Sequence, residues 1–144
     1  MKDHAFGIIP IWIQSHGDYF LLIQHRAGHW GFPKGHAEPG ETAIVTARRE
    51  FEEETSIRDY QLFETAFIEQ YSFIRKNKRI EKIVTYFPAL VETATVICQP
   101  EEIRDYAFLL YDEALKRLTF EPSKRILIQV NRYFQQQIQQ QIQS

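Results

Sequence analysis

The chain has 144 residues, 44% of them hydrophobic and 25% charged, which predicts one globular domain over 1–144 with room for a sizeable core. A formal net charge of −2 excludes a general attraction to nucleic acid, although local basic clusters stay open. One cysteine, Cys98, excludes an intramolecular disulfide framework and a cysteine-based zinc site.

Met1-Lys2-Asp3-His4 leads into an apolar stretch that is too short to span a bilayer and is broken by Pro10 and Gln14. The expectation is a cytoplasmic protein with no membrane association. Ala5 to Gln14 and Tyr19 to Gln24 are rich in Ile, Phe and Leu, and Ser15-His16-Gly17-Asp18 between them carries turn chemistry, so the pair predicts a hairpin in a core sheet. From His25 to Gly35, three glycines and a proline leave no room for a helix, and the segment reads as a shaped loop or short strand delivering Lys34.

Glu38-Pro39-Gly40-Glu41 predicts a turn and Thr42 an N-cap, after which Ala43 to Thr55 is made of good helix formers. Ile44, Ala47 and Phe51 form its apolar stripe. At about 100° per residue, Glu50, Glu53 and Glu54 share one face while Glu52 points nearly the opposite way. Such a cluster is either a solvated acidic face or a site for something cationic. Gln61–Ile68, Gln70–Ile74 and Ile80–Val91 read as strands, with Arg75-Lys76-Asn77-Lys78-Arg79 as a basic turn. That turn is either an exposed hairpin tip or a clamp for phosphates or RNA. Tyr106 to Tyr111 offers a last strand, Asp112-Glu113-Ala114 begins a short helical segment, and Glu121-Pro122-Ser123 starts another helix. Val130, Phe134, Ile138 and Ile142 continue at four-residue spacing into a glutamine-rich tail at about 135–144, either a fraying terminal helix or a dimerisation seam. The protein is therefore expected to be a monomer or weak homodimer, and the element order suits a layered α/β fold.

Gly35 to Ile57 resembles the Nudix box, G-x(5)-E-x(7)-R-E-U-x-E-E-x-G-U, where U is a bulky apolar residue. Gly35, Glu41, Arg49, Glu50, Phe51, Glu53, Glu54 and Ile57 stand in register, and Ser56 alone departs, where the motif has its second glycine. The resemblance implies a Nudix-type α/β/α sandwich with a central mixed sheet and the site at its rim. It implies that Glu50, Glu53 and Glu54 bind a divalent metal, Mg²⁺ or in its place Mn²⁺, while Arg49 pairs with Glu41 to fix the loop on the helix. Clustered carboxylates also suit Mg²⁺ on chemical grounds, because this hard cation takes oxygen ligands. The implied reaction is metal-assisted attack of water on the phosphorus of a nucleotide polyphosphate.

His29-Trp30-Gly31-Phe32-Pro33-Lys34-Gly35-His36, followed by Glu38-Pro39-Gly40-Glu41, is similar to the asymmetrically cleaving diadenosine tetraphosphate hydrolases, as are Lys76-Asn77-Lys78 and Lys82-Ile83-Val84-Thr85-Tyr86-Phe87. That likeness implies ATP and AMP as products, phosphate contacts from His29, Lys34 and Lys82, and an aromatic near Tyr71 or Phe73 stacked on adenine. From local sequence alone Lys34 is equally a solvated lysine, and both aromatics are equally core residues. The likeness also implies a further carboxylate before the last strand, where Glu101 and Glu102 stand and alignment through Tyr106 favours Glu102, as general base or accessory metal contact, with Glu53 and Glu54 as competitors for the base. The expected catalytic set is thus Glu53, Glu54 and Glu102, with Arg49 in support. Rival readings are a pyrophosphohydrolase acting on RNA 5′ ends or damaged nucleoside triphosphates, and a non-catalytic nucleotide-binding module, whose usual mark is a loss of box glutamates not seen here.

Overall fold

Neighbouring residues of an extended chain point to opposite faces, so the continuous apolar run Gly7 to Trp12 forms a strand only where both faces of its sheet are covered. In the computed structural model, which describes residues 1–143, both are covered. The elements are β1 (Lys2–Gln14), β2 (Gly17–His25), β3 (Trp30–Gly31), β4 (Lys34–His36), α1 (Ala43–Thr55), β5 (Tyr60–Leu62), β6 (Phe67–Arg75), β7 (Lys78–Val91), β8 (Ile103–Leu110), α2 (Tyr111–Arg117) and α3 (Glu121–Gln143). The eight strands form one mixed sheet, with β1 and β7 parallel at its centre and antiparallel neighbours outside them.

Alternation sorts the core. Ile8, Leu21 and Phe87 face one side, where Ala47 and Phe51 of α1 cover them. Ile9, Leu22 and Tyr86 face the other, where Ala114 of α2 and Ile126, Leu127, Val130 and Phe134 of α3 do so. The result is the expected α/β/α sandwich. Val130 and Phe134 are thus spent on the protein's own core; the side chains of Ile138 and Ile142, and Ser144 in the expected tail, lie outside the described residues.

The hairpin and α1 sit where the sequence puts them, but the strand expected over Gln61–Ile68 is broken. β5 and β6 pair with the same edge of β7, and the chain between them, 63–66, bulges away opposite Phe87 and Pro88. Pro88 has no N–H to offer a ladder, and its carbonyl instead accepts the Phe63 N–H at 2.9 Å. The last strand starts earlier than expected, at Ile103, and Tyr111 already belongs to α2. The basic turn is a two-residue hairpin connection in which Lys76 and Asn77 both adopt positive φ, 51° and 64°.

α1 begins at Thr42, whose hydroxyl accepts the Val45 N–H, and ends at Ser56 in a left-handed conformation with φ 63°. The Ser56 N–H closes the last turn on the Glu52 carbonyl at 2.9 Å, and its hydroxyl donates to the Ile97 carbonyl at 3.1 Å. A Cβ in this conformation costs about 1–2 kcal/mol, and the hydroxyl bond returns part of that. Ser56→Ala, which keeps the strain and loses the bond, is expected to be less stable than the wild type by about 0.5–1.5 kcal/mol. Ser56→Gly should stand above the alanine variant by about 0.5–1 kcal/mol, relief of strain outweighing the added freedom of the unfolded chain. Urea midpoints in the reverse order would remove the strain.

Candidate active site

One guanidinium ties the glycine turn, the acidic loop and α1 together. Arg49 forks onto Glu41, Nε to Oε2 at 2.7 Å and Nη2 to Oε1 at 3.0 Å, and Nη2 also donates to the His36 carbonyl at 2.9 Å. Glu41 further accepts the Glu38 N–H at 2.8 Å and the Thr46 hydroxyl at 3.1 Å. The Arg49 bonds, foremost, hold the Glu41 carboxyl down at about 2. The third guanidinium nitrogen, Nη1, reaches Glu50 at 2.8 Å and Glu53 at 3.3 Å.

Glu50, Glu53 and Glu54 share a face of α1 but differ in surroundings. Glu53 is at the exposed rim, Glu50 is mostly covered, and Glu54 is buried with its Oε2 unpartnered. Burial first, and then the neighbouring Glu50 carboxylate, push the Glu54 carboxyl up to about 9. Glu52 points away and holds Arg58 at 2.8 Å and the Tyr60 hydroxyl at 2.7 Å. Among the described residues, no three His, Cys, Asp or Glu side chains stand converged on one point ready for a metal. Here the Arg49 guanidinium occupies Glu50 and Glu53 instead. The donor set nonetheless fits a hard divalent cation. It is all oxygen, it holds an unpartnered buried carboxylate oxygen, and the missing side chain of Gly35 leaves the space in which the Glu50 carboxylate lies.

Facing the helix is a cavity of about 440 Å³ lined by Lys34, Gly35, His36, Arg49, Glu50 and Glu102, among others. Glu102 is placed there from both sides of its loop. The Ile97 and Gln99 N–H groups bond the Thr55 and Glu54 carbonyls at the end of α1. From the end of β2, Arg26 donates its N–H to the Glu102 carbonyl at 3.0 Å and its Nε to the Pro100 carbonyl at 2.6 Å.

Lys34 also lines a second, narrow crevice of about 40 Å³ with His25, His29, Glu69, Tyr71, Tyr86 and Phe120. The rings of His25 and His29 stack at 4.4 Å, and Phe120 lies 5.3 Å from His29. Burial and then Lys34 lower the His29 pKa; burial, His29 and Lys34 lower that of His25 to about 3, so His25 is neutral near pH 7. Burial and the nearby Lys82 lower the Lys34 pKa, while Glu69, Glu54 and Asp3 raise it. Lys82 is buried and bonded at 2.9 Å to Asp3, which also meets His36 at 2.6 Å. Burial raises the Asp3 pKa, but the bonds from Lys82 and His36 prevail and lower it.

The structure therefore brings Glu50, Glu102, Arg49 and Lys34 to one cavity and Lys34, His29 and Tyr71 to one crevice, with Lys82 behind His36. Phe73 lies apart, nearer the hairpin tip, its ring 6.2 Å from Tyr71 and covered by Arg75 at 5.1 Å. Sequence reasoning missed Asp3, His25, His36, Glu69 and Phe120. His36 was within reach of the two-residue period from Lys34; the others are joined to the site only by the fold.

The family model described as NUDIX domain matches residues 1–130. The chain belongs to the Nudix family. A bis(5′-nucleosyl)-tetraphosphatase [asymmetrical] of Rattus norvegicus is 38% identical over 112 residues, 75% of each chain. A C. elegans Ap4A hydrolase in a binary complex shares the fold at a TM-score of 0.78 with 24% identity, over 91% of this chain and 96% of that one. The NUDIX domain of Shewanella oneidensis NrtR, solved with ADP ribose, does so at 0.75 with 13% identity, over 93% and 89%. This Nudix protein is a hydrolase of the pyrophosphohydrolase type, and no helix among its described residues is long and apolar enough to cross a membrane.

Two expectations follow. The raised Glu54 pKa means that, without a cation, the folded state binds a proton that the unfolded state, with its carboxyl near 4.5, has released. Stability of the metal-free protein should then fall as pH rises from about 4.5 toward about 9. Glu54→Gln should flatten that slope and stand above the metal-free wild type at pH 8; an unchanged slope in chelator would remove the buried charge. Separately, a Cβ at position 35 would collide with the Glu50 carboxyl group, a movable side chain, so Gly35→Ala should leave the melting temperature nearly unchanged while displacing Glu50. Misplacement on the scale of about 1 Å costs roughly 100-fold in turnover, and cation binding followed by calorimetry should weaken with it.

Proposed function

We propose that this Nudix hydrolase cleaves diadenosine tetraphosphate asymmetrically, into ATP and AMP, with Mg²⁺ as its cation and Mn²⁺ able to replace it. The observation that carries the reading is the position of Lys34. Its ammonium group makes no hydrogen bond or ion pair among the described residues, and it lines both the carboxylate cavity and the aromatic crevice. A single unpartnered cation between a place for phosphates and a place for a flat ring suits a nucleotide whose base and polyphosphate are bound side by side. The likeness to the Rattus norvegicus tetraphosphatase supports the same substrate class.

In this reading Tyr71 and Phe120 take the base at the mouth of the crevice. Phe120, half exposed, swings outward in this reading, because a crevice of about 40 Å³ must widen before a purine enters. Lys34, with His29 beside it, holds the nearer phosphates, and Lys82 joins by exchanging Asp3 for a phosphate oxygen. Glu50, Glu53 and Glu54 hold the cation once Arg49 yields its contacts to the first two. When bound, that cation neutralises polyphosphate charge and lowers the pKa of the attacking water. Glu102 acts as the general base, because it is an exposed carboxylate lining the cavity with no ion pair among the described residues, whereas Glu53 and Glu54 are taken up by the cation in this reading. Anchoring the base fixes which phosphorus meets the water, so a symmetric molecule is cut asymmetrically.

Hydrolysis of diadenosine tetraphosphate in ¹⁸O-labelled water should give equal ATP and AMP, with label in only one of the two. Predominant ADP would overturn the reading. No turnover of this substrate beside rapid release of pyrophosphate from triphosphorylated RNA would favour the exposed basic turn as an RNA clamp instead. Glu54→Gln should lower turnover by orders of magnitude, whereas Glu52→Gln, whose parent side chain serves Arg58 and Tyr60, should affect stability more than rate.

A further inference from the structure

Glu69 is an acidic residue where phosphates are expected, and neither the Nudix box nor the proposed chemistry uses it. It is the third residue of β6, 95% buried by its relative exposure of 5%, and its Oε2 has no hydrogen-bond partner. Burying a carboxylate oxygen unpartnered costs about 1–3 kcal/mol or more, so an unsatisfied one marks a missing donor. Burial raises its pKa, and the charge of Lys34, the Ser123 hydroxyl and the charges of Lys82 and Arg125 oppose that rise only in part; none of these lysine or arginine nitrogens is within ion-pair distance.

The two-residue period of β6 puts Glu69 on the same face as Tyr71, one step farther from the hairpin tip, and both line the crevice with Phe120, Tyr86 and Ser123. A ring resting on Tyr71 therefore has its inner edge toward Glu69. Lys34 lies on the phosphate side of the same crevice. The donors that a nucleotide can bring to this depth are those of its base edge.

We infer that Glu69 is a base-selecting residue, whose carboxylate accepts a hydrogen bond from the exocyclic amino group of the bound base. The inference rests on the nucleotide reading of the crevice and adds to it, since stacking on Tyr71 and Phe120 accepts any base while a buried acceptor does not. A site built to bond an N–H rejects the analogue that lacks it, because the acceptor is then left buried and unpaired. Adenine satisfies Glu69 through its 6-amino group, and purine, with hydrogen at that position, does not.

The test compares diadenosine tetraphosphate with its analogue in which both 6-amino groups are replaced by hydrogen, using the full chain with Mg²⁺. Wild type should show a KM higher for the analogue by roughly 10- to 100-fold, the range of a hydrogen bond to a charged group. In Glu69→Gln and in Glu69→Leu, the second of which removes the acceptor altogether, the KM ratio should fall toward one. A residue that only supports α3 through Ser123 would change both substrates alike and leave the ratio standing. Equal KM values in the wild type, or an undiminished ratio in both variants, overturn this inference alone. Failure of the wild type to turn over either dinucleotide overturns the proposed reaction and the inference with it.

Discussion

The Arg49 fork is the interaction on which the site depends. Three glutamates on one face of α1 repel one another, and a helix carrying them has no reason to hold them at the rim of a cavity. Arg49 offsets the repulsion from inside the same helix and reaches across to Glu41 and the His36 carbonyl, joining β4, the loop and α1. Only a planar group with several fixed donors does this; a lysine would serve one partner at a time. The same contacts hold Glu50 and Glu53, so a cation seated on these carboxylates would compete with the Arg49 network for them.

Lys34 is the second node. Among the described residues, the three buried side-chain atoms without partners belong to His25, Glu54 and Glu69. Each of these residues acts electrostatically on Lys34 or is acted on by it. A protein selected for stability alone would close such a cluster with hydrogen bonds or fill it with apolar side chains. Leaving it open is the usual mark of a place reserved for substrate, where stability is traded for binding.

What the sequence discloses is what lies close along the chain. The box spans Gly35 to Ile57, so its turn, its Thr42 cap and the bounds of α1 could be read from propensity and spacing, and the helix came out at Ala43–Thr55. Contacts made across the sheet could not. Asp3 reaches Lys82 because β1 and β7 run parallel in a register that pairs those two residues, and no local pattern sets that register. Tyr71 and Phe73 look alike in sequence, sharing a face by the strand period, and only the crossing of β6 over the Lys34 crevice separates them. The break between β5 and β6 hangs on Pro88, a residue in another strand.

The one departure from the motif connects these levels. A glycine at position 56 would adopt the left-handed turn without strain but could not bond the Ile97 carbonyl through a side chain. Serine adds that bond to the two backbone bonds by which residues 97 and 99 grip the end of α1. The segment so held leads directly to Glu102, which Arg26 secures from the far side. Strain of about 1–2 kcal/mol at the helix end is thereby set against the ordering of the loop that presents a carboxylate to the cavity. The two walls of the site, the glutamate helix and the Glu102 loop, are consequently held as one unit through the residue that breaks the motif.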